Sequence, residues 1–150
     1  MLGKLVEKLG FETYVVRGVS MRSTLEPGDL LLVNLIRPDT ELCRWDVVVL
    51  NDPVAPTGRY LKRVVGLSGE KVCISDGLLF VDGRQTIEPH LGGMPSMVGL
   101  GEWVWTLGDT EYFVMGDNRA HSTDSRQFGP VDRGHIVGKA TSRYWPPSRV

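Results

Sequence analysis

Turn-forming residues recur so often along this 150-residue chain that long helices have little room. The sequence contains 18 glycines and 9 prolines, and few windows show the polar face of a long amphipathic helix. The runs between these residues are short and rich in the residue types that favour strands. We therefore predict a mostly β fold of antiparallel strands. A length of 150 residues suits one compact domain, 1–150, with its own hydrophobic core.

Individual strands can be placed from the turns that bound them. Asp76-Gly77 and Asp82-Gly83 are hairpin turns on either side of Leu78–Val81, so a small meander is expected there. From 84 to 101, glycine and proline break any periodicity, and we assign 76–110 to an inserted hairpin and irregular excursion within the domain. Further strands are predicted at Tyr14–Val16, Leu30–Leu35, Trp45–Leu50, around Lys62 up to Gly66, Lys71–Ser75, Trp103–Trp105, Glu111–Met115 and His135–Tyr144.

The amino-terminal residues differ from the rest of the chain. Apolar residues at helical spacing in 2–10 predict a short N-terminal helix, which either packs on its own domain or lies at a membrane surface. No segment reaches the roughly 18 consecutive apolar residues of a transmembrane helix. Lysines and glutamates also interrupt the first sixteen residues, so a secretory signal is not predicted in this chain.

The segment from Gly18 to Asp29 places Ser20 between turn residues that fix its backbone. A serine becomes a nucleophile only if a neighbouring base removes its proton. Lys62 is the best candidate base, because on a strand it shares one face with Tyr60 and Val64 while Arg63 points to the other. Burial among apolar neighbours would lower the pKa of this lysine. Ser20 and Lys62 are therefore predicted to form a nucleophile and base pair.

Three segments in this order resemble the signature boxes of the bacterial type I signal peptidases. The resemblance spans residues 18 to about 131, and three ordered motifs are more specific than any one of them. The resembling residues are Ser20-Met21 with Thr24-Leu25 and Gly28-Asp29, then Lys62–Leu67, and then Gly116–Arg119 with Ser122, Asp124–Arg126 and Gly129.

The resemblance implies a serine endopeptidase with Ser20 and Lys62 as its catalytic dyad and no cofactor. It implies that Ser122 orients the lysine amine, that Asp124 and Arg126 form an ion pair, and that Asp117 and Arg119 brace the same turn. Met21 follows the nucleophile in the first motif. A backbone N–H near Ser20 is expected to bind the oxyanion. Some members of the family add a serine hydroxyl two residues earlier, where this chain has Gly18, so that second donor is missing here.

The resemblance also implies the partners. The substrate would be the signal peptide of exported preproteins, bound as an added strand and cut after small residues, at the extracytoplasmic face of a membrane. Members of the family usually carry an amino-terminal anchor, and either it is absent from this sequence or the protein lacks one. Peripheral membrane contact through exposed apolar residues is a further expectation, and the candidates are Trp103, Trp105 and Trp145, for which core packing is the alternative.

Composition excludes several other classes. A net charge of −1 with mixed signs gives no reason to expect nucleic acid as a partner. Cys43 and Cys73 do not have the spacing of a zinc site, so no metal is expected and the cysteines are read as free or structural thiols, with a disulfide as the alternative. His121 is interpreted as a surface residue.

Three other functions were considered, of which the first two stay open. One is a dedicated maturation peptidase for a single precursor, and another is an inactive scaffold of the same fold that binds extended peptides. A self-cleaving repressor would also use serine and lysine, but the chain has no room for a DNA-binding module before Ser20.

Overall fold

The computed structural model, which describes residues 10–55 and 57–150, is built from two antiparallel sheets. In this part of the chain the strands are β1 (Phe11–Val15), β2 (Leu30–Leu35), β3 (Val47–Asn51), β4 (Arg59–Gly66), β5 (Lys71–Ser75), β6 (Leu78–Val81), β7 (Arg84–Gln85), β8 (Glu102–Thr106), β9 (Glu111–Met115), β10 (Val131–Asp132), β11 (Ile136–Trp145) and β12 (Pro147–Arg149). The mostly β, antiparallel fold predicted from the sequence is confirmed. The predicted helix at 2–10 falls outside the described residues except for Gly10, which lies in a turn.

The larger sheet has the order β1-β2-β11-β3-β4-β9-β10, with β12 paired to β11. Its centre is buried on both faces, because β3 presents Val47 and Val49 to one core and Val48 and Leu50 to another. The first core is closed by the chain between β1 and β2, which contributes apolar side chains from the loop around Ser20. A sheet covered on both sides provides the rigid support that a loop-borne site requires.

The smaller sheet has the order β7-β6-β5-β8 and packs its apolar face against the β4 and β9 end of the larger sheet. Its hairpins are closed by the two Asp-Gly pairs, and both residues of each pair have positive φ, as a two-residue type I′ turn requires. The strands of this sheet run from Lys71 to Thr106. The insert predicted at 76–110 overlaps the sheet but begins one strand later.

Two strand edges of the larger sheet remain open near Ser20. Strand β1 pairs with β2 on one side, at the edge of the sheet. Strand β4 pairs with β9 from Arg63 to Gly66, so its first four residues have no neighbour on that side among the described strands. An ion pair of 2.8 Å between Arg59 and Glu12 joins β4 to β1. The sheet is therefore curved so that these two edges approach each other.

Short helices and three tryptophans are the remaining parts of the fold that matter here. A 3-10 helix covers Pro89–Leu91, and an α-helix, α1, covers Ser125–Phe128. Trp145 is 66% exposed, whereas Trp105 is half-buried and packs on Phe113 with ring centroids 4.6 Å apart. Of the candidates for membrane contact, Trp145 therefore has the most exposed surface, and Trp103 is half-buried.

Candidate active site

Ser20 and Lys62 lie within hydrogen-bond distance although 42 positions separate them in the sequence. Lys62 Nζ donates to Ser20 Oγ at 2.9 Å and to the Leu61 carbonyl at 3.2 Å. Ser20 lies in the turn that follows β1, and Lys62 is the last residue of the unpaired part of the β4 edge. The two side chains expected to form a nucleophile and base pair are thus in contact.

The Lys62 side chain is almost completely removed from water, with 2% of the residue exposed. Burial lowers its pKa to about 8, because the charged amine loses hydration. The negative charges of Asp124 and Asp117 oppose this shift, and the positive charge of Arg126 adds to it. The Tyr60 ring lies 5.0 Å from the amine. At a pKa near 8, about a tenth of the amine is uncharged at pH 7 and able to accept a proton.

The turn that carries Ser20 is closed at its base and anchored in the core. Val16 N donates to Asp29 O at 2.9 Å, and Gly28 N donates to Val16 O at 3.0 Å. Met21, the residue after Ser20, is buried and packs in the first core, so it acts as an anchor for the turn. Gly18 has φ +73°, a left-handed conformation that glycine adopts without a steric penalty.

Gly116 lets the third motif approach the Ser20 turn closely. A Cβ added at this glycine would lie 2.5 Å from the Ser20 carbonyl oxygen and would also overlap the Ser122 side chain. Real Cβ atoms do not approach other heavy atoms this closely, so only glycine fits between the two serines. Gly116 comes directly after β9, so the end of this strand fixes the distance between the third motif and the Ser20 turn.

Asp124 is the centre of the hydrogen-bond network beside the lysine. Burial alone would raise the pKa of this carboxyl, but Arg126, with further hydrogen bonds from Gly116 N and Ser122, holds the pKa below its usual value. Arg126 Nε donates to Asp124 Oδ1 at 2.8 Å. The Asp124 side chain also accepts from the Arg126 backbone N, as the N-cap of α1. The carboxylate is therefore held ionised near Lys62.

The position of Ser122 differs from the role that the resemblance implies. Its hydroxyl donates to Asp124 Oδ2 at 2.7 Å, and none of the hydrogen bonds among the described residues joins it to Lys62. The orientation of the amine therefore rests on Ser20 and the Leu61 carbonyl. Ser122 is linked to the lysine only through Asp124, whose charge raises the pKa of the amine.

Asp117 and Arg119 connect the third motif to other parts of the fold. Arg63 donates to both carboxylate oxygens of Asp117, at 2.9 and 2.6 Å, and Thr24 donates to Asp117 Oδ2 at 2.6 Å. Burial tends to raise the pKa of Asp117, and the hydrogen bonds and charge of Arg63 lower it below its usual value. Arg119 Nε donates to Gly116 O at 3.0 Å, and its guanidinium pairs with the buried Glu88.

A cleft of about 480 Å³ leads to the Ser20 and Lys62 pair. One wall is formed by β1, the other by the first residues of β4, and Arg17 and Thr57 lie at its margin. Both walls are strand edges that have no hydrogen-bonding neighbour on this side among the strands that the structure describes. A segment of extended chain could therefore pair with backbone groups while a carbonyl carbon lies against Ser20.

The sequence is similar to that of a known protein family over most of its length. A model of the family described as signal peptidase, peptidase S26, matches residues 2–145. The chain belongs to this signal peptidase family. Signal peptidase I of Bacillus caldolyticus is 39% identical over 148 residues, covering 91% of this chain and 80% of that protein. Signal peptidase IB of Staphylococcus aureus is 32% identical and covers 95% of this chain and 82% of that protein.

A solved structure supports the same relationship. The crystal structure of a signal peptidase I from Enterococcus faecalis V583 matches this S26 family member with a TM-score of 0.60 at 28% identity. The match covers 68% of this chain and 98% of that chain. The antiparallel fold is thus shared with a signal peptidase I structure.

Four residues of this S26 family member line or support the site although the sequence analysis gave them no role in it. They are Arg63 and Thr24, which hold Asp117, Glu88, which pairs with Arg119, and Asn118, which contacts the Ser20 turn. Thr24, Arg63 and Asn118 lie inside the motifs, so the motifs indicated their neighbourhood but not their partners. Nothing local in the sequence distinguishes Glu88 from an exposed acid.

Three further findings concern a membrane-spanning helix, a metal site and the two cysteines. No helix of the described residues is long and apolar enough to cross a bilayer. Nor do three or more His, Cys, Asp or Glu side chains of those residues gather at one place as a metal site would need. Cys43 and Cys73 are both free thiols in this S26 family member.

Proposed function

We propose that the protein is a serine endopeptidase that uses a Ser20 and Lys62 dyad to cleave signal peptides from exported preproteins after small residues. The observation that carries this proposal is the 2.9 Å contact between Ser20 Oγ and a lysine amine that is almost completely buried. Family membership and the names of the related signal peptidases support the substrate class. The open strand edges beside Ser20 support an extended peptide as the ligand.

Acylation begins when uncharged Lys62 accepts the hydroxyl proton of Ser20. The serine oxygen bonds to the carbonyl carbon of the scissile peptide, and the electron pair of the C=O bond moves to oxygen. When this intermediate collapses, the C–N bond breaks, and the lysine ammonium gives its proton to the leaving amine. The mature polypeptide leaves with a new amino terminus, and the signal peptide stays attached to Ser20 as an ester.

Deacylation uses the same two groups. Lys62, now uncharged again, takes a proton from water as the water oxygen bonds to the ester carbon. The Ser20 oxygen leaves and recovers the proton from the lysine, so the free enzyme and a carboxylic acid are formed. In both steps the developing oxyanion needs a preorganised donor, and the Ser20 backbone N–H is the group proposed for it.

Cleavage of a detergent-solubilised preprotein tests the proposal. We expect two products, and mass spectrometry of the new amino terminus should place the cut after a small residue. Ser20→Ala and Lys62→Ala should each abolish most turnover, and the double variant should be hardly worse, because members of one catalytic unit are not additive. Ser23→Ala and Lys71→Ala change the same residue types at exposed positions and serve as matched controls.

The outcomes separate this proposal from its alternatives. Binding of the preprotein without any product would indicate a scaffold that holds extended peptides. Cleavage of one particular precursor, but of no generic export signal, would indicate a dedicated maturation peptidase. Independent, multiplicative losses in the two single variants would contradict a dyad.

A further inference from the structure

Asn118 holds both carbonyl groups that flank the nucleophile. Its side-chain Nδ2 donates to Val19 O at 3.0 Å, and its backbone N donates to Ser20 O at 2.9 Å. Asn118 follows β9, whereas the carbonyls belong to the turn after β1, so these bonds connect the turn to a different part of the sheet. A single residue thereby fixes the peptide unit on each side of Ser20.

The Val19 bond determines where the Ser20 N–H points. In a trans peptide the C=O and N–H groups point in opposite directions. Because Val19 O is directed at the Asn118 amide, the Ser20 N–H is directed away from Asn118. Within the part of the chain that the structure describes, this N–H has no hydrogen-bond partner. It is therefore an oriented donor that is free to bind a ligand oxygen.

The turn itself gives this peptide unit little other support. Val19 O also accepts from Arg22 N at 3.1 Å, but Arg22 belongs to the same turn and moves with it. Gly18, on the other side, has φ +73° and is exposed. Gly18 also supplies no side-chain hydroxyl, so a backbone donor has to be held in place by groups outside the turn. Asn118 is such a group.

We infer that Asn118 is a positioning residue, whose side-chain amide orients the Val19–Ser20 peptide so that the Ser20 N–H binds the oxyanion. The inference rests on the proposed function and adds to it the group that sets the oxyanion donor. Asn118 acts through the peptide unit and does not touch the reacting atoms. Its loss should therefore weaken binding of the tetrahedral state more than binding of the substrate.

Two substitutions separate the amide donor from the size of the side chain. Asn118→Asp keeps the shape but places a carboxylate oxygen against Val19 O, and Asn118→Ala removes the group. Asn51→Ala, at the exposed end of β3, is the matched control. We expect kcat to fall about 10- to 100-fold in both Asn118 variants, somewhat less than the loss of a complete oxyanion donor. KM should change by less than about threefold in both variants. The pH at which the rate is half-maximal should stay in place in Asn118→Ala, which adds no charge beside Lys62.

A peptide aldehyde reports on the tetrahedral state without turnover. Ser20 Oγ bonds to the aldehyde carbon, the serine proton passes to Lys62, and the former carbonyl oxygen takes the negative charge. In both Asn118 variants the affinity for the aldehyde should fall by the same factor as kcat/KM. The matching peptide carboxamide measures substrate binding alone. Its affinity for the Ser20→Ala protein should be the same with and without the Asn118 change. The amide proton of Ser20 should shift downfield on aldehyde binding in the unchanged protein and less in the variants.

The results have distinct meanings. If the unchanged protein shows no cleavage that depends on Ser20, the proposed function itself fails. If it cleaves and the Asn118 variants match it in kcat and aldehyde affinity, only the positioning role is overturned. A parallel loss of carboxamide binding, or a displaced pH profile in Asn118→Ala, would also overturn it, since either would indicate a general distortion or an effect on Lys62. Circular dichroism and the melting temperature confirm that each variant is folded. If Asn118→Ala fails to fold, kcat and aldehyde affinity in the isosteric Asn118→Asp variant test the positioning role.

Discussion

Replacing Lys62 with methionine should stabilise the fold at neutral pH while abolishing turnover. Methionine has a similar length without the charge, and the site that receives it is almost completely buried. Burial lowers the pKa of the lysine from 10.5 to about 8. The free energy of unfolding at pH 7 is therefore reduced by about 3 kcal/mol, because each pKa unit corresponds to about 1.4 kcal/mol.

The direction of the pH effect on stability depends on which state, folded or unfolded, binds the Lys62 proton more tightly. The unfolded chain binds a proton at this lysine more tightly than the folded protein, so protonation favours unfolding. Stability of the unchanged protein should thus rise between pH 8 and pH 10.5, where the unfolded lysine is still charged and the folded one is not. The methionine variant has no such contribution. Its advantage should shrink by about 3 kcal/mol from pH 7 to pH 10.5.

Chemical unfolding at a series of pH values measures this difference. The lost hydrogen bonds to Ser20 and the Leu61 carbonyl reduce the absolute gain by about 1 kcal/mol each, but this loss does not depend on pH in the same way. Ionisation of other groups affects both proteins equally and cancels in the comparison. Lys71→Met, at an exposed position on β5, is the control and should show no comparable trend. A stability difference that stays constant from pH 7 to pH 10.5 would refute the reasoning.

Two further predictions follow from the site. The kcat/KM of peptide cleavage should rise about tenfold from pH 7 to pH 9 and then level off, since the Lys62 pKa is about 8; a hundredfold rise without a plateau would indicate an exposed amine. Gly116→Ala should lower the free energy of unfolding by about 1–3 kcal/mol and reduce turnover more than tenfold, because its Cβ would lie 2.5 Å from Ser20 O. Chemical unfolding and peptide assays test this prediction against Gly108→Ala, at an exposed turn; activity equal to that of this control would show that the turn can move away.

Local sequence signals were enough to place many strands. Four segments have the same bounds in the sequence prediction and in the structure, because each is an alternating or β-rich run closed by turn residues. They are Leu30–Leu35, Lys71–Ser75, Leu78–Val81 and Glu111–Met115. The two Asp-Gly turns between and beside β5 and β6 also have the backbone conformation that such pairs favour.

Strand order could not be predicted from local sequence, because it depends on contacts between distant segments. Strand β11 lies between β2 and β3, and no local pattern in the sequence indicates that position. The last strand was predicted to end before the Pro146-Pro147 pair, whereas β12 continues from Pro147 and pairs back on β11. The chain direction after proline depends on which edge is available, and this is a property of the assembled sheet.

The sequence also does not show which charged residues pair with each other. Alternation along β4 correctly separates Lys62 from Arg63, but it does not show that Arg63 reaches Asp117, 54 positions away. A buried guanidinium needs an acidic partner with complementary geometry. The sequence contains many aspartates and glutamates, and nothing local shows which of them is that partner. The fold selects Asp117 because the end of β9 brings it beside β4.

The segment between β7 and β8 has a physical connection to the Ser20 turn, although it is far from Ser20 in the sequence. Glu88, just before the 3-10 helix of that region, pairs with Arg119 in a buried contact, and Arg119 Nε donates to Gly116 O. Gly116 in turn lies against the Ser20 carbonyl. Removing one member of a buried ion pair leaves an uncompensated charge, at a penalty of about 3–5 kcal/mol. The segment between β7 and β8 therefore helps to hold the third motif against Ser20, because a shift of Glu88 would also displace Arg119 and the glycine that it supports.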